Sequence, residues 1–195
     1  KVIADGVEIR KSDKNGLNEF RKKCGFLFQH SALFDSMTIE ENLAFPLMQH
    51  TYLSKKEIIE RVDEKLRIVG LPGVNEKKPS ELSGGMQKRA ALARSIILEP
   101  KYIFYDEPTT GLDPIMSRVI DDLILDLNNR LGVTSIVVTH DMKTVERIGT
   151  KMCLLYGGNV IISGEKTEVL KSDNPYLRQF VEGEKEGPIK LNITE

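Results

Sequence analysis

Two adjacent acids at the end of an apolar run, Asp106 and Glu107 after Tyr102-Ile103-Phe104-Tyr105, stand where chemistry could be done. A carboxylate at a strand end can hold a divalent cation through water. Its neighbour in the chain faces the other way and can polarise an attacking water. Upstream, Ser83-Gly84-Gly85 opens a run with helical periodicity. Such a turn offers bare backbone N–H groups and the positive end of a helix dipole to an anion. Gln29 and His140 end two further apolar runs, and Gly111-Leu112-Asp113 follows the acid pair. Together these residues describe a site for a metal-bound polyphosphate, because phosphoryl transfer depends mostly on positioning and charge stabilisation. A neutral imidazole at His140 could contact the terminal phosphate and keep the water and Glu107 in register. His30 and His50 read as ordinary structural residues.

The elements that must position these groups follow from the pattern. Residues 1–10 read as two short strands around Asp5-Gly6, a favourable hairpin turn. Residues 11–23 read as a polar surface segment broken at Asn15-Gly16, with Arg21-Lys22-Lys23 a solvated face. Residues 24–29 predict a buried parallel strand, followed by a loop with the apolar tips Leu33, Phe34 and Met37. Thr38 and Glu41 form a capping box for a short helix that includes Phe45 and stops near Pro46. Ser54 and Glu57 form a second box, and the helix after it buries Ile59, Val62, Leu66 and Val69 before Gly70. From Ser83 onward, Met86, Ala90, Ala93 and Ile97 share one helix face, and Lys88, Arg89 and Arg94 lie off it. Pro100 ends that helix and the strand 102–106 begins. After Pro114 a helix carries Val119, Leu123 and Leu127 on one face, with Ile124 and Leu131 alongside, and closes at Gly132; residues 134–139 then predict another buried strand. Residues 152–156 and 160–163 predict a hairpin about Gly157-Gly158-Asn159, with a short helix near 175–180 and a polar arm after it. Strands alternating with helices predict an α/β fold, a mostly parallel sheet with an antiparallel edge. Residues 38–98 are a helical block inserted between two of its strands.

Bulk properties exclude several classes. The chain has 28 Lys and Arg against 29 Asp and Glu, which indicates no general field for nucleic acid or a membrane surface. Its 195 residues suit one domain with a small subdomain. No apolar run approaches the roughly 20 residues that span a bilayer, and no signal peptide opens the chain. Cys24 and Cys153 sit in separate apolar runs and read as reduced core thiols.

The stretch from Pro79 to Asp113 resembles the signature sequence, Walker B strand and D-loop of ABC-type ATPases, and the resemblance extends over nearly the whole chain. It implies a P-loop NTPase-like fold. Residues 1–37 would be part of a RecA-like core ending in the Q-loop, 38–98 a helical subdomain, 99–172 the rest of the core and 173–195 a C-terminal arm. It implies ATP and Mg²⁺ as ligands, with Gln29 as the Q-loop glutamine sharing the metal with Asp106. Glu107 and His140, the latter resembling the switch histidine of the H-loop, would be catalytic. Ser83, Gly84, Gly85 and Asp113 would face a nucleotide held by the opposite subunit, so the resemblance implies a homodimer with composite sites. One departure stands out: nothing matches the Gly-x-x-x-x-Gly-Lys-Ser/Thr phosphate loop. The nearest stretch, Gly158 to Gly164-Glu165-Lys166-Thr167, has the wrong spacing and a glutamate where lysine is needed. The expectation is therefore that an N-terminal segment with the first strands, an adenine-stacking aromatic and the phosphate loop is missing. These 195 residues alone are then expected neither to bind ATP tightly nor to hydrolyse it.

A finer likeness lies in Phe28-Gln29-His30-Ser31-Ala32-Leu33-Phe34-Asp35-Ser36-Met37-Thr38, in Glu41-Asn42-Leu43-Ala44-Phe45-Pro46-Leu47, in Ser83-Gly84-Gly85-Met86 with Arg89 to Arg94, and in the tail from Gln179 to Pro188. These resemble the Mla-type lipid-transport ATPases. That resemblance implies a peripheral subunit on the cytoplasmic face of a bacterial inner membrane, coupling ATP hydrolysis to phospholipid movement. Its partners would be a membrane permease, a small STAS-like subunit and a membrane-anchored lipid-binding protein, and nucleic acid would not be a partner. Leu33, Phe34, Met37 and Phe45 read either as the groove for the permease's coupling helix or as packing on the helical block itself. The alternatives are an importer ATPase for another solute, such as an amino acid, and a non-transporting ABC protein.

Overall fold

Asp5 and Gly6 both take left-handed backbone angles, φ 50° and 77°, as a two-residue hairpin turn requires. They join β1 (Ile3–Ala4) to β2 (Val7–Glu8) as an antiparallel pair with Ala4 opposite Val7. The computed structural model describes residues 1–9 and 14–190. The end of the first predicted segment, the start of the second and the last five residues of the arm lie outside the described residues. The chain forms two units, residues 1–139 and 140–195.

In the first unit, the stretch read as a broken surface segment is helical: α1 (Lys14–Lys22) runs through Asn15-Gly16. Glu19 pairs with Lys22 at 2.7 Å, and the Phe20 ring lies 5.9 Å from that of Tyr102. Such local and tertiary contacts outweigh a weak intrinsic propensity. Next, β3 (Cys24–Leu27), β4 (Tyr102–Asp106) and β5 (Thr134–Val138) form a parallel sheet in that order. Leu27 lies opposite Tyr105, and Asp106 opposite Val138. Gly25, Leu27, Ile103 and Tyr105 are buried. On the other face, Phe26, Phe28, Ile136 and Val138 are 46, 47, 49 and 58% exposed, with Phe26 stacked on Phe104 at 4.8 Å. The expectation that β3 and β5 are buried strands therefore fails. The helix after Ser83 packs on the Gly25 side, and alternate strand residues point away from it.

Both capping boxes form as the sequence predicts, Thr38 with Glu41 at the start of α2 (Ile39–His50) and Ser54 with Glu57 at the start of α3 (Lys55–Ile68). However, α2 does not stop at Pro46 but continues to His50. A proline inside a helix costs about 3 kcal/mol. Leu43 and Leu47 flank it and are fully buried, and burial of each such side chain contributes about 1.5–3 kcal/mol. Burial wins. In α3, Val62 and Leu66 enter the core, with Val69 at its cap. The helix after Ser83, α4 (Gly84–Ser95), packs against α2, α3 and β3. Its residues Ala90, Ala91, Leu92 and Ala93 are all buried. A helix buried all round leaves no solvent face for its cations, and Lys88, read as lying off the buried stripe, is only 5% exposed. In α5 (Pro114–Leu131) the core stripe is Ile120, Ile124 and Leu127, with Val119 36% exposed. The stripe is thus rotated from the one that Val119 and Leu123 suggest.

The second unit holds α6 (Met142–Ile148), whose N-terminus is capped by Asp141, and the antiparallel pair β6 (Lys151–Tyr156) and β7 (Asn159–Glu165). Gly157 and Gly158 make its turn with φ 56° and 77°. The short α7 (Lys166–Val169) and α8 (Pro175–Glu182) follow. The arm folds back on α8: Ile189 N–H donates to Gln179 Oε1 at 2.7 Å, and Gln179 Nε2 donates to Ile189 O and Glu184 O. Cys153 is exposed rather than a core thiol, because alternate positions along β6 face outward; Cys24 is half-buried, and both are free.

Candidate active site

Parallel register sets the first half of the site. Leu27 and Tyr105 are partners on β3 and β4, so two residues further on Gln29 and Glu107 leave the same end of the sheet. Asp106 is the last residue of β4 and is exposed. Glu107 then turns the chain with φ 46°, a left-handed conformation that costs a non-glycine residue about 1–3 kcal/mol and is found where function holds it. Three groups fix this residue. Its N–H donates to Val138 O at 2.9 Å, and its carboxylate oxygen Oε2 accepts from Thr110 Oγ1 at 2.9 Å and from Thr139 Oγ1 at 3.4 Å. Hydroxyl donors are what an ionised carboxylate, an acceptor only, requires.

Lys88 closes the arrangement from α4. Its ammonium donates to Gln29 O at 2.5 Å and to Glu107 O at 3.2 Å. Burial lowers its pKa, opposed by the carboxylates of Asp106 and Glu107. Six residues along the same helix, Arg94 Nη1 donates to Ala32 O at 2.8 Å and Nη2 to Ser31 O at 3.0 Å. Ser31 and Ala32 are consecutive left-handed residues, φ 63° and 49°. Two cations of α4 thus hold the main chain just after β3. On the far side of the same loop, buried Asn42 accepts from Phe34 N at 2.8 Å and donates to Phe34 O and Thr38 O at 3.1 and 2.9 Å.

Ser83 caps α4, its hydroxyl accepting from Met86 N at 3.4 Å. Ser83 and Gly84 are exposed, and a Cβ on Gly84 would meet nothing within 4 Å. Gln87 Nε2 donates to Pro79 O and Leu82 O, which fixes the entry of the chain into the turn. The helix therefore starts with an exposed Gly84 and a buried Gly85. A Cβ on Gly85 would meet Met116 Cε at 2.7 Å, so this turn adjoins the start of α5. There Asp113 caps the helix, Oδ1 accepting from Ile115 N and Met116 N at 2.9 and 3.0 Å.

Among the residues singled out from sequence, Gln29 and Glu107 are joined directly through Lys88, and Asp106 precedes Glu107 in the chain. Ser83, Gly84, Gly85 and Asp113 form a second cluster along α4 and α5. His140 begins the second unit, directly after Thr139, and is exposed. Sequence reasoning missed Lys88, Arg94, Asn42, Thr110 and Thr139 as parts of the site. For Lys88 and Arg94 a signal was present: Gly85, Ala90, Ala91, Ala93 and Ser95 spread small residues over several helix faces, the mark of a helix enclosed on all sides. The Gly158–Thr167 stretch forms a hairpin turn, β7 and α7, and is no phosphate loop.

The family model for "ABC transporter" matches residues 1–110. The chain is 40% identical over 191 residues to the probable ribonucleotide transport ATP-binding protein mkl of Mycobacterium leprae, covering 98% of this chain and 55% of that protein. It is 43% identical over 190 residues to the intermembrane phospholipid transport system ATP-binding protein MlaF of Haemophilus influenzae, covering 97% of this chain and 72% of that one. The chain thus spans about half the length of the mkl proteins it matches. Its fold matches the dimeric, post-hydrolysis ATP-binding cassette MJ0796 bound to ADP and Pi with TM-score 0.75 and 33% identity, over 84% of this chain and 72% of that one. The strand-end acids, the capped Ser-Gly-Gly turn and these likenesses agree: the chain belongs to the ABC transporter ATPase family.

Proposed function

We propose that this chain is part of the ATP-hydrolysing motor of a bacterial transporter that moves phospholipid, working as a dimer beneath a membrane permease. The observation that carries the reading is Glu107, held in a left-handed turn with its carboxylate aligned by Thr110 and Thr139. In hydrolysis the water oxygen bonds to the terminal phosphorus as the bond to the bridging oxygen breaks, giving ADP and phosphate. Glu107 orients that water and accepts the proton it loses as its oxygen bonds to phosphorus, a contribution of about 10²–10⁴-fold for a positioned base. Mg²⁺, when bound, neutralises phosphate charge. Asp106 and the Gln29 amide would hold it, and two oxygen donors suit an ion that keeps waters and phosphate oxygens in its shell. His140 is proposed as a second catalytic residue, in the role of the switch histidine that the resemblance implies. Ser83, Gly84 and Gly85 offer N–H groups and a hydroxyl to the nucleotide of the second subunit, with Asp113 beside them; the dimeric relative that holds ADP and Pi supports this division.

The phospholipid substrate rests on the 43% identity to a phospholipid transport protein. A second reading, ribonucleotide transport, rests on the 40% identity to mkl. Among the described residues no helix is long and apolar enough to cross a membrane, in keeping with a peripheral place on the cytoplasmic face. The permease would dock on Phe34 and Phe45, which are 45 and 39% exposed and meet edge to face at 5.6 Å. A STAS-like subunit and a lipid-binding anchored protein complete the proposed set. In the natural protein assembled with its permease, Glu107→Gln is expected to retain ATP binding and lose turnover by about 10²-fold or more. Turnover within tenfold of wild type would sink the reading. Reconstituted in vesicles, the wild type is expected to respond to phospholipid; stimulation by ribonucleotides alone would favour the second reading.

A further inference from the structure

A lysine that is 5% exposed needs a reason to be where it is, because an ammonium taken from water loses solvation that only well-placed acceptors restore. Lys88 finds two, the main-chain oxygens of Gln29 and Glu107. These residues lie 59 and 19 positions away in the chain and flank the same end of the sheet. Neither acceptor is a side chain, so Lys88 leaves both functional groups to other partners and fixes only the peptides that carry them. At Glu107 the peptide is the sensitive point. Its φ of 46° lies in a sparsely populated region that persists only when neighbours over-determine it. The N–H side is held by Val138, and the carbonyl accepts from Lys88 at 3.2 Å and from Thr110 N–H at 3.3 Å. Without the ammonium the carbonyl keeps only the Thr110 bond, and relaxation toward negative φ would swing the carboxylate off Thr110 and Thr139.

We infer that Lys88 is a positioning residue for ATP hydrolysis, locking the backbones of Gln29 and Glu107 into one register so that their side chains meet the same nucleotide. The inference rests on the ATPase reading above and adds to it. Because Lys88 lies a little over one turn from Gly84, the same helix that presents the Ser-Gly-Gly turn also sets the alignment of the chain's own site. A change at one end of α4 therefore reaches the water-orienting carboxylate through a single side chain.

The test compares wild type, Lys88→Met, Lys88→Gln, Lys88→Arg and Glu107→Gln in the natural protein with its permease. Lys88→Met is expected to lower kcat by about 10²-fold with the KM for ATP within about threefold, since misplacing a catalytic group by an ångström costs about that much. Lys88→Arg, which keeps cationic donors, is expected to restore kcat to within about tenfold of wild type. Hydrogen exchange gives a readout apart from turnover. Lys88→Met is expected to speed exchange in the segments 26–34 and 103–113 and to leave 55–68 unchanged. Should Lys88→Met fail to fold, Lys88→Gln, which keeps two neutral donors, is expected to show the same pattern with about a tenfold loss. If Glu107→Gln is inactive while the folded Lys88 variants keep kcat within twofold, the inference falls and the ATPase reading stands. If Glu107→Gln turns over like wild type, the role given to Glu107 falls and the inference with it; if the wild type itself turns over no ATP, the ATPase reading falls. A Lys88→Met variant with raised exchange everywhere and unchanged kcat per folded molecule would mark Lys88 as merely structural.

Discussion

At the scale of single residues, the site depends on side chains that serve backbone rather than ligand. Asn42 is the clearest case. It is fully buried in α2, and its amide spans the loop that runs from Gln29 to Thr38, meeting both the N–H and the carbonyl of Phe34. This places Phe34, half of the edge-to-face pair proposed to receive the permease. Asn42→Ala takes the side-chain acceptor from Phe34 N–H and leaves Phe34 O with Met37 N–H alone, a loss worth about 1–3 kcal/mol when the groups are screened from water. Asn42→Asp is worse. It replaces the amide donor by an oxygen facing Phe34 O and Thr38 O, adding repulsion to the lost bonds. Urea unfolding is expected to rank stability wild type, Asn42→Ala, Asn42→Asp, with at least about 1 kcal/mol at the first step. An Asn42→Asp variant as stable as wild type would show that the loop does not depend on these contacts.

At the scale of elements, α4 meets β3 so closely that glycine alone fits. A Cβ at Gly25 would strike the main-chain oxygen of Ser95 and lie 3.2 Å from Pro100 Cγ. The obstacle is backbone, which cannot rotate away as a side chain can. Gly84, at the start of the same helix, has open space around it in this chain. Gly25→Ala is therefore expected to cost about 1–3 kcal/mol through overpacking. Gly84→Ala is expected to leave stability unchanged or raise it by up to about 1 kcal/mol, as alanine is the better helix former. The proposed function reverses the order for turnover, which Gly84→Ala lowers by crowding the partner's phosphate. Thermal unfolding and turnover measured on both variants check the crossing. These contacts also explain which elements were legible. Capping boxes, the Asp5-Gly6 turn and the helix start at Ser83 are set by neighbours in sequence and were read correctly. The passage of α2 through Pro46, the helical α1, the open face at Phe26 and Ile136 and the burial of Lys88 all depend on residues far along the chain. The motifs around Gln29, Ser83 and Asp106-Glu107 could be singled out because each is a short pattern of neighbouring residues. The Lys88 clamp was not, because only folding brings residues 29, 88 and 107 together.

At the scale of the whole molecule, the two clusters imply different nucleotides. Lys88 ties Gln29 and Glu107 together, and Asp106 precedes Glu107 in the chain. The proposed function gives these residues the subunit's own nucleotide and gives the partner's to Ser83 and Gly84, exposed at the start of α4, with Gly85 next in the chain. Mixing distinguishes a composite dimer from two self-contained sites. A subunit with Glu107→Gln lacks the water-orienting group, and one with Ser83→Arg obstructs the helix start. Each homodimer has both sites broken. In a composite heterodimer, one site gathers both defects and the other joins intact Glu107 to an intact Ser83 turn. Random exchange of subunits gives heterodimers as half of all pairs, each with one working site. If the sites act independently, the mixture is expected to recover about a quarter of wild-type turnover, and less if each site needs the other to fire. With self-contained sites, every subunit in the mixture carries one defect and no turnover returns. Measured ATP turnover of the two variants, alone and after exchange with the permease present, decides between these arrangements. A mixture no more active than its components would rule out the composite site.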